Sequence, residues 1–131
     1  MDEPIWIQPE QLHLMHDRQM ELFGGSPGVL HVGAVAAALN RPINKWAYER
    51  AGLAECAAAY LYGIIHAHAY VDGNKRTALM AAFVFLEVNG SPIHVTPEEA
   101  FALVVFAARK EITEAHVVRW FTDHSDRTQF R

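Results

Sequence analysis

Apolar residues recur at helical spacing along most of the chain, and the polar positions between them group into a few turns. This pattern predicts six helices, separated by segments rich in glycine, proline or polar residues. The predicted helices cover residues 9–23, 33–39, 53–67, 76–89, 96–110 and 113–124. Residues 40–46 have no clear period and are predicted to form an exposed connection. The polar tail, residues 125–131, is predicted to fray.

Two of the predicted helices, residues 53–67 and 76–89, are apolar nearly all round. Helices of this kind are buried on every side, so we expect this pair to lie at the centre of the fold. We find no internal repeat, low-complexity segment or second hydrophobic unit along the sequence. The pattern therefore predicts an all-α helical bundle that forms one domain over residues 1–131.

The fifth predicted helix has the clearest start signal. Thr96 and Glu99 are spaced as a capping box, in which each side chain bonds to the backbone of the other residue. Pro97 stands at the first helical position, where the missing N–H of proline costs nothing. This start is expected to be stable on local chemistry alone.

Composition limits the compartment and the partners. Half of the 131 residues are apolar, alanine is frequent, and the formal net charge of −4 gives no general reason to expect nucleic-acid or membrane-surface binding. Cys56 is the single cysteine, so no internal disulfide is possible and a reducing cytosol fits. The acidic start MDEPIW lacks a signal-peptide pattern. Residues 78–86, the longest apolar run, fall far short of the roughly 20 residues that span a bilayer. We expect a soluble, cytoplasmic protein.

The densest polar cluster, IHAHAYVDGNKRT at residues 65–77, lies between the two central helices. Part of it reads as an ordinary turn. Asp72 and Gly73 would form the turn, and Asn74 would be the N-cap of a helix that begins at Lys75. This interpretation explains the glycine and the asparagine, but not the cations that follow them.

Lys75 and Arg76 stand where a helix has partial positive charge and exposed N–H groups. A cation at that position costs about 0.3–1 kcal/mol of stability. Two adjacent cations are understandable if an anion normally lies among them, since amides, helix dipole, lysine and arginine together form a phosphate site. The sequence therefore predicts an anion site here. It is not a P-loop, because GNKRT has the wrong glycine spacing.

Two further side chains of the cluster suggest the chemistry around that anion. Asp72 would repel phosphates unless a cation intervenes, and Mg²⁺ is typically bound by one carboxylate together with substrate phosphates. His68, just past the end of the incoming helix, is of a residue type that commonly takes a proton from a hydroxyl. His66 and His68 point to different faces if helical, so they are not expected to share a metal. His66 is instead expected to be packed and hydrogen-bonded.

The stretch HAYVDGNKR, residues 68–76, resembles the signature of the Fic/Doc superfamily, whose pattern is His-x-Phe-x-(Asp/Glu)-(Gly/Ala)-Asn-(Gly/Lys)-Arg. Residues 16–29, HDRQMELFGGSPGV, are also similar to the N-terminal part of Doc-type members. The similarity extends over most of the chain. It implies a small all-helical Fic/Doc-type bundle, in which the loop joining the central helices carries the active site.

The resemblance also implies roles for matching positions. His68 would be the general base that takes a proton from a Ser, Thr or Tyr hydroxyl of a protein substrate, and Asp72 would hold Mg²⁺ on the phosphates of ATP. Asn74 would fix the loop, and Tyr70, in place of the usual Phe, would anchor it in the core with a partner for its hydroxyl. The residues lining the anion hole would be Gly73, Lys75 and Arg76.

Two positions separate the branches of this family. Common Fic motifs have Gly where Lys75 stands and a second Arg where Leu79 stands, and such members transfer AMP from ATP. Lys75 and Leu79 are instead similar to the Doc branch, whose members are toxins that transfer the γ-phosphate. The resemblance therefore implies a Doc-like kinase of a translation factor such as elongation factor Tu, which inhibits growth. AMP transfer is the alternative.

The resemblance has consequences for regulation. Many Fic proteins carry an inhibitory segment, (Ser/Thr)-x-x-x-Glu-(Gly/Asn), and this sequence has none. Leu79 also lacks the charge that the glutamate of such a segment would bind. A separate antitoxin protein acting in trans is therefore the expected restraint.

Readings from other classes remain. Arg119 and His124 satisfy the loose Arg…His pattern of HEPN-type ribonuclease toxins. Two fixed residues match often by chance, and the net charge is acidic, so this alternative is remote. A non-catalytic binding protein that kept the fold is a third possibility. The full set of polar residues in the 68–76 stretch argues against it.

Overall fold

The computed structural model describes residues 2–129, with side chains described for residues 2–125. This part of the chain forms six α-helices, and it contains no β-strand beyond one isolated bridge. In chain order the helices are α1 Pro9–Phe23, α2 Val32–Glu49, α3 Leu53–Ala67, α4 Asn74–Val88, α5 Pro97–Ala108 and α6 Glu114–Gln129. The all-α prediction is confirmed.

Helix α3 lies at the centre and packs against α2, α4, α5 and α6. Small side chains at 57–59, all alanine and fully buried, let the neighbouring helices approach closely. Tyr60 is also fully buried, and its hydroxyl accepts a hydrogen bond from the amide of Ile7 at 3.0 Å. Burial raises the pKa of Tyr60 to about 12. The predicted central pair, α3 and α4, is confirmed.

Helix α2 corrects two predictions. Instead of a short helix at 33–39 and an exposed connection at 40–46, the chain forms one continuous helix. Pro42 lies inside this helix and is buried, with its carbonyl 3.8 Å from Sγ of Cys56 on α3. Residues 40–46 have no clear apolar period, and proline also removes one hydrogen bond from a helix, so the local sequence did not indicate a continuous helix. The packing of α2 on α3 offsets that loss, and packing of this kind is not visible in local sequence.

The remaining helix ends lie close to their predicted positions. Thr96 caps α5 as expected, since its Oγ1 accepts from the amide of Glu99 at 3.1 Å. Helix α6 continues to Gln129, past its predicted end at His124. Fraying of the tail stays a prediction, because residues 130–131 lie outside the described part of the chain.

Two further observations concern Cys56 and the apolar character of the helices. Cys56 is free and buried, and burial raises the pKa of its thiol to about 11. Among the helices of the described residues, none has the length and apolar character needed to cross a membrane.

Candidate active site

The loop that joins α3 to α4, residues 68–73, is short and tightly held. His68 has a left-handed φ of 48° where α3 ends, and Gly73 has a φ of 78° where α4 begins. The Asn74 side chain donates to the carbonyl of Tyr70 at 2.9 Å and accepts from the Tyr70 amide at 3.1 Å. These two bonds close the loop on itself.

The predicted N-cap role of Asn74 is wrong. Helix α4 begins at Asn74, Gly73 occupies the N-cap position, and no side chain in the described part of the chain caps this helix. The Asn74 side chain is already bonded to Tyr70. Because Gly73 tolerates the left-handed conformation, the chain enters the helix one residue earlier than the turn pattern indicated.

Tyr70 fastens the loop to α1. Its side chain is buried, and its ring stacks on the imidazole of His16 with 3.9 Å between ring centres. Its hydroxyl lies in hydrogen bond with Nδ1 of His13 at 2.9 Å. Burial, followed by the charge of Asp17, raises the pKa of Tyr70 to about 12. The phenol therefore stays protonated and has the polar partner that a buried tyrosine requires.

Helix α1 holds the loop at a second point. Nε2 of the buried His16 lies 2.8 Å from the backbone carbonyl of Asp72. A carbonyl only accepts, so Nε2 carries the hydrogen and donates it. One turn further along α1, Met20 packs so closely on Gly73 that a Cβ added there would collide with Cε of Met20.

The sequence pattern indicated no role for His13 or His16, so this contribution of α1 was not predicted. The signal was present in their spacing. His13, His16 and Met20 are three and four residues apart, which places all three on one face of a helix. That face is the one that contacts the loop.

The segment between α1 and α2 covers the loop from another side. Val29 forms an antiparallel bridge with Tyr70, and the amide of Val71 donates to the carbonyl of Gly28 at 3.1 Å. The amides of Leu30 and His31 both donate to the Ala69 carbonyl, at 2.7 and 3.1 Å. The loop is therefore held by backbone bonds as well as by α1.

Asp72 presents its carboxylate at this junction. Oδ1 accepts from the amide of Gly73 at 2.9 Å, and Oδ2 accepts from the amide of Ser26 at 3.4 Å. Gly25 passes so near that a Cβ on it would lie 2.8 Å from Oδ2. The carboxylate is thus oriented by backbone groups while the residue stays exposed.

The donor set suits Mg²⁺ better than a metal held by protein alone. Within the described residues, no group of three or more His, Cys, Asp or Glu side chains converges as a metal site. Asp72 supplies one hard, exposed oxygen ligand beside Lys75 and Arg76. One carboxylate together with phosphate oxygens and water is an arrangement that Mg²⁺ accepts, so the residues present fit the ion if phosphates accompany it.

The residues of the predicted anion site lie together in the first turn of α4. Amides of the first helical residues, Asn74, Lys75 and Arg76, have no acceptor within the helix. The Lys75 and Arg76 side chains are exposed. The guanidinium of Arg76 lies over the ring of Phe23, with Cζ 4.7 Å from the ring centre. Amides, helix dipole and two cations therefore face solvent together.

A cavity of about 1000 Å³ opens beside this turn. One wall is polar and consists of the loop and the first turn of α4, residues 72–76. The rest is mostly apolar and comes from α1, α4 and α5. Its lining residues are Gln19, Leu22, Phe23, Val71, Leu79, Met80, Phe83, Pro97, Glu98, Ala100, Phe101 and Val104. A cavity with one charged wall and one apolar wall suits a ligand that has both phosphates and a flat, apolar part.

His68 stands apart from the other predicted site residues. It is exposed at the start of the loop, four residues before Asp72, and it does not line the cavity. The structure therefore brings Asp72, Gly73, Asn74, Lys75 and Arg76 together on one wall and leaves His68 open to solvent beyond it. A side chain at this exposed position is accessible to a macromolecule in solution.

His66 is packed as expected, with its ring 4.5 Å from that of Tyr62. Its Nε2 is buried and has no hydrogen-bond partner among the described residues, so the prediction of a hydrogen-bonded ring is wrong for this nitrogen. Burial is the main cause that lowers its pKa, Lys110 adds to the effect, and the carbonyl of Ala107 opposes it. His66 lies on α3, outside the loop, and does not line the cavity.

The residues of the ribonuclease-type pattern do not form a site in this part of the chain. Nδ1 of His124 lies 2.7 Å from the carbonyl of Trp120, and Nε2 lies 3.4 Å from Glu99. Both ring nitrogens thus have structural partners. Arg119 is five residues away on the same helix, about 140° round its axis, and is exposed. This geometry does not favour the ribonuclease alternative.

Comparison with known proteins agrees with the motif. The sequence model of the Fic/DOC family matches residues 6–86. The chain is 39% identical over 112 residues to "Protein kinase doc" of Escherichia phage P1, covering 85% of this chain and 88% of that protein. It is 46% identical over 72 residues to "Toxin Doc" of Mycolicibacterium smegmatis, covering 52% of this chain and 54% of that protein.

Proposed function

Because the chain belongs to the Fic/Doc family, we propose that it is a Doc-like toxin that transfers the γ-phosphate of ATP to a hydroxyl of a target protein. The observation that carries this proposal is the first turn of α4. It combines uncapped amides with Lys75 and Arg76 directly after the Asp72 carboxylate. The names of the two relatives, a protein kinase and a toxin, support the same assignment.

Each residue of the site has a part in the proposed transfer. His68 is the base that takes the proton from the attacking Ser, Thr or Tyr hydroxyl, and its exposure suits a protein substrate. Asp72 holds Mg²⁺, which supplies charge neutralisation on the phosphates when it is bound. The first-turn amides of α4, with Lys75 and Arg76, offset charge on the phosphoryl oxygens.

The position of the nucleotide decides which phosphorus is attacked. Lys75 fills space that a glycine would leave open. Leu79 lines the cavity but lacks the charge of the second arginine that common Fic motifs have at this position. We expect ATP to lie with its γ-phosphate nearest His68, so that ADP is the leaving group. The apolar wall of the cavity supports a site for the base of the nucleotide. AMP transfer, in which the α-phosphorus is attacked and pyrophosphate leaves, is the competing chemistry.

The proposal includes a target and a restraint. A translation factor such as elongation factor Tu is the proposed target, because its modification would inhibit growth. A separate antitoxin is the proposed restraint, because the sequence has no internal inhibitory segment. Expression of the chain alone should slow growth, and His68→Ala should relieve that effect. Normal growth with abundant soluble parent protein would contradict the toxin assignment.

Labelled ATP tests the chemistry directly. Purified protein is incubated with cell extract and ATP labelled at either the γ- or the α-phosphate. We expect label on a target protein from γ-labelled ATP only, with a mass increase of one phosphate. His68→Ala should abolish labelling, whereas His116→Ala, a change at an exposed histidine of α6, should leave it unchanged. Transfer from α-labelled ATP would overturn the kinase assignment and keep the family.

A further inference from the structure

The imidazole of His16 is an unusual group to find buried on α1. Its exposed fraction is 2%, and the next two residues along the helix are the charged residues Asp17 and Arg18. Burying a polar ring is costly unless the ring is hydrogen-bonded, and an apolar side chain of similar size would pack more cheaply. A histidine at this position is therefore explained by the bond that it makes rather than by packing.

That bond is made to one particular peptide unit. Nε2 of His16 donates to the Asp72 carbonyl at 2.8 Å, and the same peptide unit contains the amide of Gly73. This amide donates to Oδ1 of the Asp72 carboxylate at 2.9 Å. Because a peptide unit is planar, fixing its carbonyl also fixes the direction of its N–H. The position of His16 therefore determines where the carboxylate of Asp72 points.

The same peptide unit leads straight into the anion site. The next residue, Asn74, opens α4, and its amide is the first of the uncapped donors. The His16 ring is itself held in place, since it stacks on Tyr70 with an interplanar angle of 10°. The His16 side chain thus contacts the peptide unit that links both halves of the site, the carboxylate and the helix start.

We propose that His16 is a positioning residue for nucleotide binding and transfer, acting through the peptide bond between Asp72 and Gly73. The inference rests on the proposed function for its catalytic consequence. Its structural part, that the Nε2–H donor orders the loop, stands on the geometry alone. Neither His68 nor any other exposed histidine makes an equivalent contact with this peptide in the described structure.

Two substitutions at His16 separate the donor from the packing. His16→Phe keeps an aromatic ring to stack on Tyr70 but leaves the Asp72 carbonyl without its donor. His16→Gln loses the ring but places an amide N–H near the position of Nε2. We expect the dissociation constant for Mg-ATP, measured by calorimetry, to rise about tenfold in His16→Phe. It should return to within about threefold of the parent value in His16→Gln.

A readout that needs no nucleotide completes the test. Amide hydrogen exchange of residues 69–77 should become about tenfold faster in His16→Phe, and should be close to the parent rate in His16→Gln. The control pair is His116→Phe and His116→Gln on α6, which should match the parent in exchange and in Mg-ATP affinity. Thermal melting of all four variants reports whether each still folds.

The possible outcomes are distinct. Rescue by glutamine of both exchange and affinity supports the proposal, because a purely structural packing role would favour phenylalanine. Equal behaviour of the two variants, or a phenylalanine variant with the loop exchange of the parent, would overturn it. If the parent protein binds no Mg-ATP, the proposed function fails, and the exchange measurement still decides whether His16 orders the loop.

Discussion

Helices α4 and α5 begin in opposite ways. Helix α5 has the Thr96 cap, and Glu98 and Glu99 lie in its first turn, where the helix dipole favours negative charge. Helix α4 has no side-chain cap, and two cations lie in its first turn. The first arrangement stabilises a helix, and the second gives up stability to keep donors open. The start of α5 thus contributes local stability, whereas the start of α4 has the groups that the proposed function uses to bind an anion.

Removing Arg76, one of the two cations that line the cavity, should have the largest effect on function. Arg76→Ala should lower ATP-dependent transfer by about 100-fold, because charge on the phosphoryl oxygens would lose its partner. Far-UV circular dichroism and the melting temperature should stay near the parent values, since the side chain is exposed. Arg109→Ala, at the exposed end of α5, is the matched control. An Arg76 variant with parent-like turnover would show that α4 does not carry the site.

The entry into α4 should also be sensitive to added volume. Gly73→Ala should cost about 1–2 kcal/mol of unfolding free energy, because the residue has a φ of 78° and the terminal Cε of Met20 must move away from the new Cβ. Gly90→Ala is a control with a similar φ of 82° but nothing within 4 Å of the new Cβ, and should cost about 1 kcal/mol. Urea unfolding measures both values. Equal costs would mean that Met20 moves aside freely and that the left-handed φ alone sets the cost.

Removing the cap of α5 should affect stability alone. Thr96→Ala should lower the free energy of unfolding by about 1 kcal/mol, since the Glu99 amide would lose its acceptor. The dissociation constant for Mg-ATP should not change. Calorimetric titration of the folded variant measures this constant, and a weakened affinity would show that the two helix starts are coupled.

The smallest stability change should come from making α4 more like α5. Lys75→Gln removes one cation from the first turn and should raise the free energy of unfolding by about 0.3–0.5 kcal/mol at low salt. Mg-ATP affinity should fall at the same time, because the anion site loses a charge. A variant that is less stable than the parent would contradict the view that Lys75 serves a ligand at the expense of the helix.

Sequence reasoning was most successful where the chemistry is local. The capping box at Thr96 and the two cations in the first turn of α4 each depend on neighbouring residues. Their positions at the helix starts could therefore be predicted from sequence spacing. The continuation of α2 through Pro42 was not predicted, because it depends on packing against α3. The Asp72 contact of His16 joins residues 56 positions apart, and no local pattern predicts such a bond. The predicted N-cap role of Asn74 was wrong. Its side chain bonds to Tyr70 instead, and a turn pattern does not indicate that choice of partner.

The buried thiol of Cys56 has a practical consequence for spectroscopy. With a pKa of about 11, only about one molecule in ten thousand carries the reactive thiolate at pH 7. Since Cys56 is the single cysteine of the chain, the natural protein offers almost nothing to a maleimide or iodoacetamide dye. A substitution such as Val71→Cys, at an exposed loop position, would then accept one label in an otherwise native background. Motion of the loop on nucleotide binding can be followed by fluorescence without first removing a native residue.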